Sequence, residues 1–96
     1  MKNLNEILST LTKYKETLKK KYNIKTLGVF GSYSRGDFTK DSDIDIIVEF
    51  EKPMGIEFID HADELENILQ NKVDLVSKKG IKTGYLEYII PEIKYI

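Results

Sequence analysis

Residues 31–45, GSYSRGDFTKDSDID, bring a Gly-Ser turn, the only arginine of the chain and two aspartates one residue apart into one short stretch. The aspartates open an apolar run, Ile44, Ile46, Ile47 and Val48, whose composition is that of a β-strand. On a strand, residues i and i+2 point to the same side, so Asp43 and Asp45 share a face, with Cα atoms about 7 Å apart. Two such carboxylates can hold one divalent cation or bracket a pair about 3.5 to 4 Å apart. Hard oxygen ligands suit Mg²⁺.

The rest of the stretch supplies what a triphosphate needs. Gly31 follows the apolar Leu27, Val29 and Phe30, and permits a tight turn and close approach to a phosphate. Ser32 offers a hydroxyl and a backbone N–H at the start of a short helix over 32–36. Arg35 lies one helical turn further on, where its planar fork can reach the same phosphates. Of the fifteen basic residues fourteen are lysine. The lone guanidinium therefore stands where bidentate phosphate geometry matters, which an ammonium cannot match.

Around this stretch the periodicity predicts the remaining elements. Leu4, Ile7, Leu8, Leu11, Tyr14 and Leu18 recur at helical spacing over 4–21, with Asn3 and Glu6 set as a capping box. A first strand covers 25–30, a polar loop 37–42 and a second strand 44–50. Pro53 and Gly55 break the chain before a helix over 56–71 marked by Ile56, Ile59, Ala62, Leu65, Ile68 and Leu69. Val73 to Val76 reads as a third strand carrying Asp74. A loop over 78–84 leads to a last helical segment with Tyr85, Leu86, Ile89 and Ile90, broken or restarted at Pro91.

This order predicts an α/β (α+β) fold with helices packed on a small mixed sheet of three strands in the order 1-2-3. Gly31 and Ser32 end the first strand while Asp43 begins the second, so bringing them together makes the two antiparallel. The helix between the second and third strands allows a parallel crossover. Asp74 then stands beside Asp43 and Asp45.

Ninety-six residues make a single domain (1–96) that buries roughly 60 to 65 per cent of its unfolded surface, with no room for a separate acceptor-binding module. Composition is that of a soluble protein, 41% hydrophobic and 32% charged, with no membrane-length apolar run and no apolar stretch of a signal peptide at the start. The chain has no cysteine, which excludes thiolate metal sites and disulfides and goes with a cytoplasmic setting. A net charge of −1 argues against broad binding to nucleic acid. Lys19, Lys20 and Lys21 read as a solvated helix end complementing the macrodipole. Asp37 and Asp41 read as loop and capping residues, His61 as an exposed helix residue, and the tyrosines as packing or surface residues, with Tyr33 placed to border a nucleotide.

Gly-Ser-x-x-Arg-Gly-(x)₅-Ser-Asp-x-Asp, met by Gly31 through Asp45 and followed by Asp74 on a later strand, resembles the minimal nucleotidyltransferases of the DNA polymerase beta-like superfamily. The similarity spans nearly the whole chain, and Ser34 stands where alanine is frequent. It implies transfer of a nucleoside monophosphate from a triphosphate to a hydroxyl. By that resemblance Asp43 and Asp45 hold two Mg²⁺ ions, and Asp74 holds the one that activates the acceptor and takes its proton. Gly31, Ser32, Arg35 and Gly36 bind the nucleotide. Relatives of this kind pair with a helical HEPN ribonuclease toxin and act as antitoxins by attaching AMP from ATP to a tyrosine of it. Two alternatives stay open: an antitoxin that inhibits by binding alone, and transfer to a small molecule or an RNA end.

Overall fold

The computed structural model of the chain describes residues 3–96. Helix α1 (Leu4–Tyr22) starts on the cap foreseen: Asn3 Oδ1 accepts from the Glu6 N–H at 2.9 Å. It ends at Asn23, whose left-handed backbone (φ 53°) lets its N–H reach the Lys19 carbonyl. Strand β1 (Ile24–Phe30), helix α2 (Ser32–Arg35) and strand β2 (Ile44–Phe50) follow, then α3 (Glu57–Leu69) and β3 (Val73–Ser77). A 3₁₀ turn at Lys78–Gly80 leads to α4 (Thr83–Ile89). Pro91 converts the end of that helix into a second 3₁₀ turn, Ile90–Glu92.

The pairing of the three long strands is the one the sequence predicts. β1 runs antiparallel to β2, with Phe30 opposite Asp45, and β2 runs parallel to β3, with Asp45 opposite Asp74. The sheet has, however, four strands and not three, in the order β3-β2-β1-β4. β4 (Lys94–Tyr95) pairs antiparallel with β1 through Gly28 opposite Tyr95 and Val29 opposite Lys94. Gly28 makes this approach possible, because a Cβ there would lie 2.7 Å from Ile93 Cγ2. Two residues are too few for a readable alternation, so pairing across the chain, not local pattern, defines this strand.

Alternation along β2 sorts its side chains between two apolar layers. Ile44, Ile46 and Val48 join Ile7, Leu11 and Leu18 of α1, and Leu65 and Leu69 of α3, in the larger core. Ile47 packs on the other face with Phe30, Ile89 and Ile93. By the same period Asp43 and Asp45 belong to that second face, beyond the cover that α4 gives Ile47. Among the described residues no helix is long and apolar enough to cross a membrane.

Helix α3 corrects two expectations. Its core face runs through His61, Leu65 and Leu69, whereas Ile56 and Ile59 are 77% and 60% exposed. His61 is therefore not an exposed residue. It is fully buried, its ring 4.5 Å from that of Tyr22 and edge-on to Phe50, with neither ring nitrogen hydrogen-bonded. The i, i+4, i+8 geometry forces it inward with the two leucines, although Asp60 and Asp63 beside it face out. Burial depresses its pKa to about 4, against a smaller opposing pull from Glu64. Above pH 6.5 the ring is neutral in both folded and unfolded chains and this effect vanishes. Between pH 6.5 and 4 the unfolded chain takes up a proton that the buried ring refuses, so stability falls by on the order of 3 kcal/mol across that window. Urea unfolding at pH 7 and pH 4.5 is expected to show a smaller acid loss in His61→Leu than in the wild type; equal losses would exclude this origin.

Candidate active site

Phe30 ends β1 beneath the side of β2 that carries Asp45, and Gly31 begins the turn into α2 there. Its backbone has φ 76°, ψ −151°, a region open to glycine and strained for other residues. The Asp45 carboxyl packs directly on its Cα, so that a Cβ at residue 31 would overlap Asp45 Oδ2 and the Asp45 side-chain carbons. Gly31 is thus fixed twice, by its backbone angle and by the carboxyl lying against it.

Helix α2 is a single turn, Arg35 N–H to Gly31 O at 3.0 Å. Ser32 is its first residue and half-buried; Gly36 closes it with φ 91°, its N–H bonding the Ser32 carbonyl at 2.8 Å, and the space above its Cα is open. The loop behind it is closed by Ser42, whose Oγ accepts from the Thr39 N–H at 2.9 Å, which sets Asp43 at the threshold of β2. Ile44 N–H bonds the Lys72 carbonyl at 2.9 Å and ties that threshold to the start of β3. Tyr33 does not border an open cleft. It is buried, stacked on Phe38 at 4.3 Å, with its hydroxyl accepting from Asn71 Nδ2 at 3.0 Å.

Asp45 stands at the centre of this corner, half-buried, with exposed Asp74 across from it on β3 and exposed Asp43 two residues before it. Burial first, then the charges of Asp74 and Asp43, raise its pKa to about 6, Arg35 opposing. Oxygen donors crowded so that one of them holds its proton are a setting that a divalent cation relieves. Among the described residues no three acidic or histidine groups already close on a single point.

Arg35 reaches two carboxylates. Its Nε donates to Asp37 at 3.2 Å and its Nη1 to both oxygens of Glu92, at 3.2 and 3.3 Å. Asp37, expected as a loop residue, is thus also an ion-pair partner. Glu92 was not foreseen at all. It comes from the far end of the chain, and its carboxylate also accepts from the Gly31 N–H at 3.0 Å. The one local hint is the β-prone Ile-Lys-Tyr-Ile that follows it.

The carboxyl resonance of Asp45 in the metal-free protein is expected to titrate near pH 6. It should move to lower pH in Asp74→Asn, which removes a like charge and keeps the shape. An Asp45 titration in the ordinary carboxylate range would refute the crowding described here.

The profile of the nucleotidyltransferase domain family matches residues 11–96. Protein adenylyltransferase MntA of Thermococcus cleftensis is 41% identical over 97 residues, spanning 100% of this chain and 98% of that one. The Methanocaldococcus jannaschii protein MJ1379, named as a candidate protein adenylyltransferase, is 46% identical over 95 residues, 96% and 95% of the two chains. Among solved structures, a toxin-antitoxin crystal structure with AMP-PNP superposes with a TM-score of 0.71 at 26% identity, over 86% of this chain and 69% of that one. A minimal nucleotidyltransferase candidate gives 0.74 at 30% identity, over 91% and 93%. With its Gly-Ser turn, its paired aspartates and a sheet that brings them to one corner, the chain belongs to the nucleotidyltransferase domain family.

Proposed function

We propose that residues 1–96 act as one minimal catalytic domain, a Mg²⁺-dependent protein adenylyltransferase. It moves AMP from ATP to a tyrosine hydroxyl of a HEPN-type toxin and serves in the cytoplasm as the antitoxin. The observation that carries this reading is the corner itself: Asp45 packed on the Gly31 Cα, with Asp74 in register beside it. The full-length similarity to a protein adenylyltransferase MntA and the likeness to a toxin-antitoxin structure holding an ATP analogue support it.

In this reading Asp43 and Asp45 are the ligands of two Mg²⁺ ions, with Asp74 a ligand of one of them. Bound there, Mg²⁺ neutralises triphosphate charge and makes the acceptor hydroxyl more acidic. Gly31 lets the chain come close to the phosphates, Ser32 donates its hydroxyl and backbone N–H to them, Gly36 leaves room above the turn and Arg35 offsets their charge. Asp74, which stands on β3 beside Asp45, takes the proton as the acceptor oxygen attacks the α-phosphorus. The bond to pyrophosphate breaks in the same transfer.

ATP labelled at the α-phosphate, with Mg²⁺ and the product of the adjacent reading frame, is expected to label that product. No transfer by the wild type would overturn the reading. Asp43→Asn and Asp45→Asn keep shape and remove charge. Each should drop transfer to background with the melting temperature unchanged, and retained transfer in either would remove it from the metal site. An Asp43→Asn variant that still protects cells from the toxin would favour inhibition by binding alone.

A further inference from the structure

We propose that Glu92 is a positioning residue for the nucleotide, a clasp from the C-terminal segment that holds both ends of the Gly31–Arg35 turn. The proposal rests on that turn being the triphosphate site. No part of the Gly-Ser-x-x-Arg-Gly pattern contains Glu92, and it lies 57 residues beyond Arg35 in the chain.

The fold brings it there by register. β4 pairs Gly28 with Tyr95 and Val29 with Lys94, and continuing that ladder by two residues sets Glu92 opposite Gly31. At that point the backbone leaves strand geometry, and the Glu92 side chain takes over the pairing by accepting from the Gly31 N–H at 3.0 Å. The same carboxylate receives Arg35 Nη1 on both oxygens. The Ser34 hydroxyl donates to the Glu92 backbone carbonyl. One residue therefore touches the first, fourth and fifth positions of the motif.

Each contact constrains something the nucleotide would need. The N–H bond fixes the peptide before Gly31, whose positive φ and contact with Asp45 leave little other freedom. Asp37 on Nε and Glu92 on Nη1 hold the guanidinium on two sides and leave Nη2 for a ligand. The Glu92 side chain is only 16% exposed, so these charge-assisted bonds are less screened than those of a surface pair. A rival role is an internal anion that occupies phosphate donors and must leave. The tether from Ser34 and the β4 ladder two residues on make the carboxylate a fixture of the turn instead. A preset turn spares the nucleotide the cost of ordering it.

Calorimetric titration of the full chain with Mg²⁺ and AMP-PNP, paired with hydrogen exchange at the Gly31 amide, tests the clasp. Glu92→Gln keeps an acceptor for the Gly31 N–H and is expected to bind within about threefold of the wild type, whereas Glu92→Ala should bind roughly tenfold or more weakly. Its Gly31 amide should also exchange faster. Glu92→Asp, which keeps the charge but draws the carboxylate back by one carbon, should lose affinity in the same way and serves if the alanine variant does not fold. Wild-type affinity in Glu92→Ala or Glu92→Asp, or the tighter binding expected of a removed competitor, would overturn the proposal. If the wild type itself binds no nucleotide, the reading of the turn as a triphosphate site falls and the positioning role with it. Unchanged Gly31 exchange in Glu92→Ala, with wild-type binding intact, would overturn the clasp alone.

Discussion

The contact between the Asp45 carboxyl and the Cα of Gly31 is the constraint around which the corner is built. It exists because β1 and β2 run antiparallel with Phe30 opposite Asp45, so the end of one strand and the acidic start of the other meet. No residue but glycine fits at 31, since any Cβ would overlap Asp45 and φ 76° is strained for side chains. The same contact half-buries Asp45, and with Asp74 and Asp43 nearby this keeps its proton to about pH 6. Steric exclusion at one glycine and electrostatic crowding at one aspartate thus have a single origin.

The sheet keeps this corner both rigid and accessible. Its larger apolar layer, between the strands and helices α1 and α3, carries Ile44, Ile46 and Val48 of β2, residues that alternate with the aspartates. The smaller layer under α4 is built from Phe30, Ile47, Ile89 and Ile93, and ends short of Asp45. Carboxylates set on a strand whose opposite side is fully packed have little freedom to relax apart, and such preorganisation is what a charge-neutralising site needs.

Buried polar groups mark where the architecture asks for something local pattern does not announce. His61 sits in the core with both nitrogens unpartnered, placed there by its helical offset from Leu65 and Leu69. Tyr33, inside the motif, turns inward onto Phe38 and Asn71 and so anchors the turn from below. Arg35, the lone arginine of the sequence, is in the fold one member of a network with Asp37 and Glu92.

Beyond the family, which residues 31–45 carried by resemblance, the strand alternation and helix periodicity around them were enough to determine the order of the long elements, the pairing of β1 to β2 to β3 and the side on which Asp45 lies. Those features follow from periods of 2 and 3.6 residues and from turn chemistry, all carried by neighbours in the chain. Only the tertiary structure decided that Lys94-Tyr95 adds a fourth strand, that Glu92 reaches the Gly-Ser turn, that Ile56 and Ile59 face outward and that His61 is buried. The physical reason is range. A two-residue strand has no period to read, and the rotation of a helix about its axis is set by the surface it packs against, so both depend on partners that are distant in sequence.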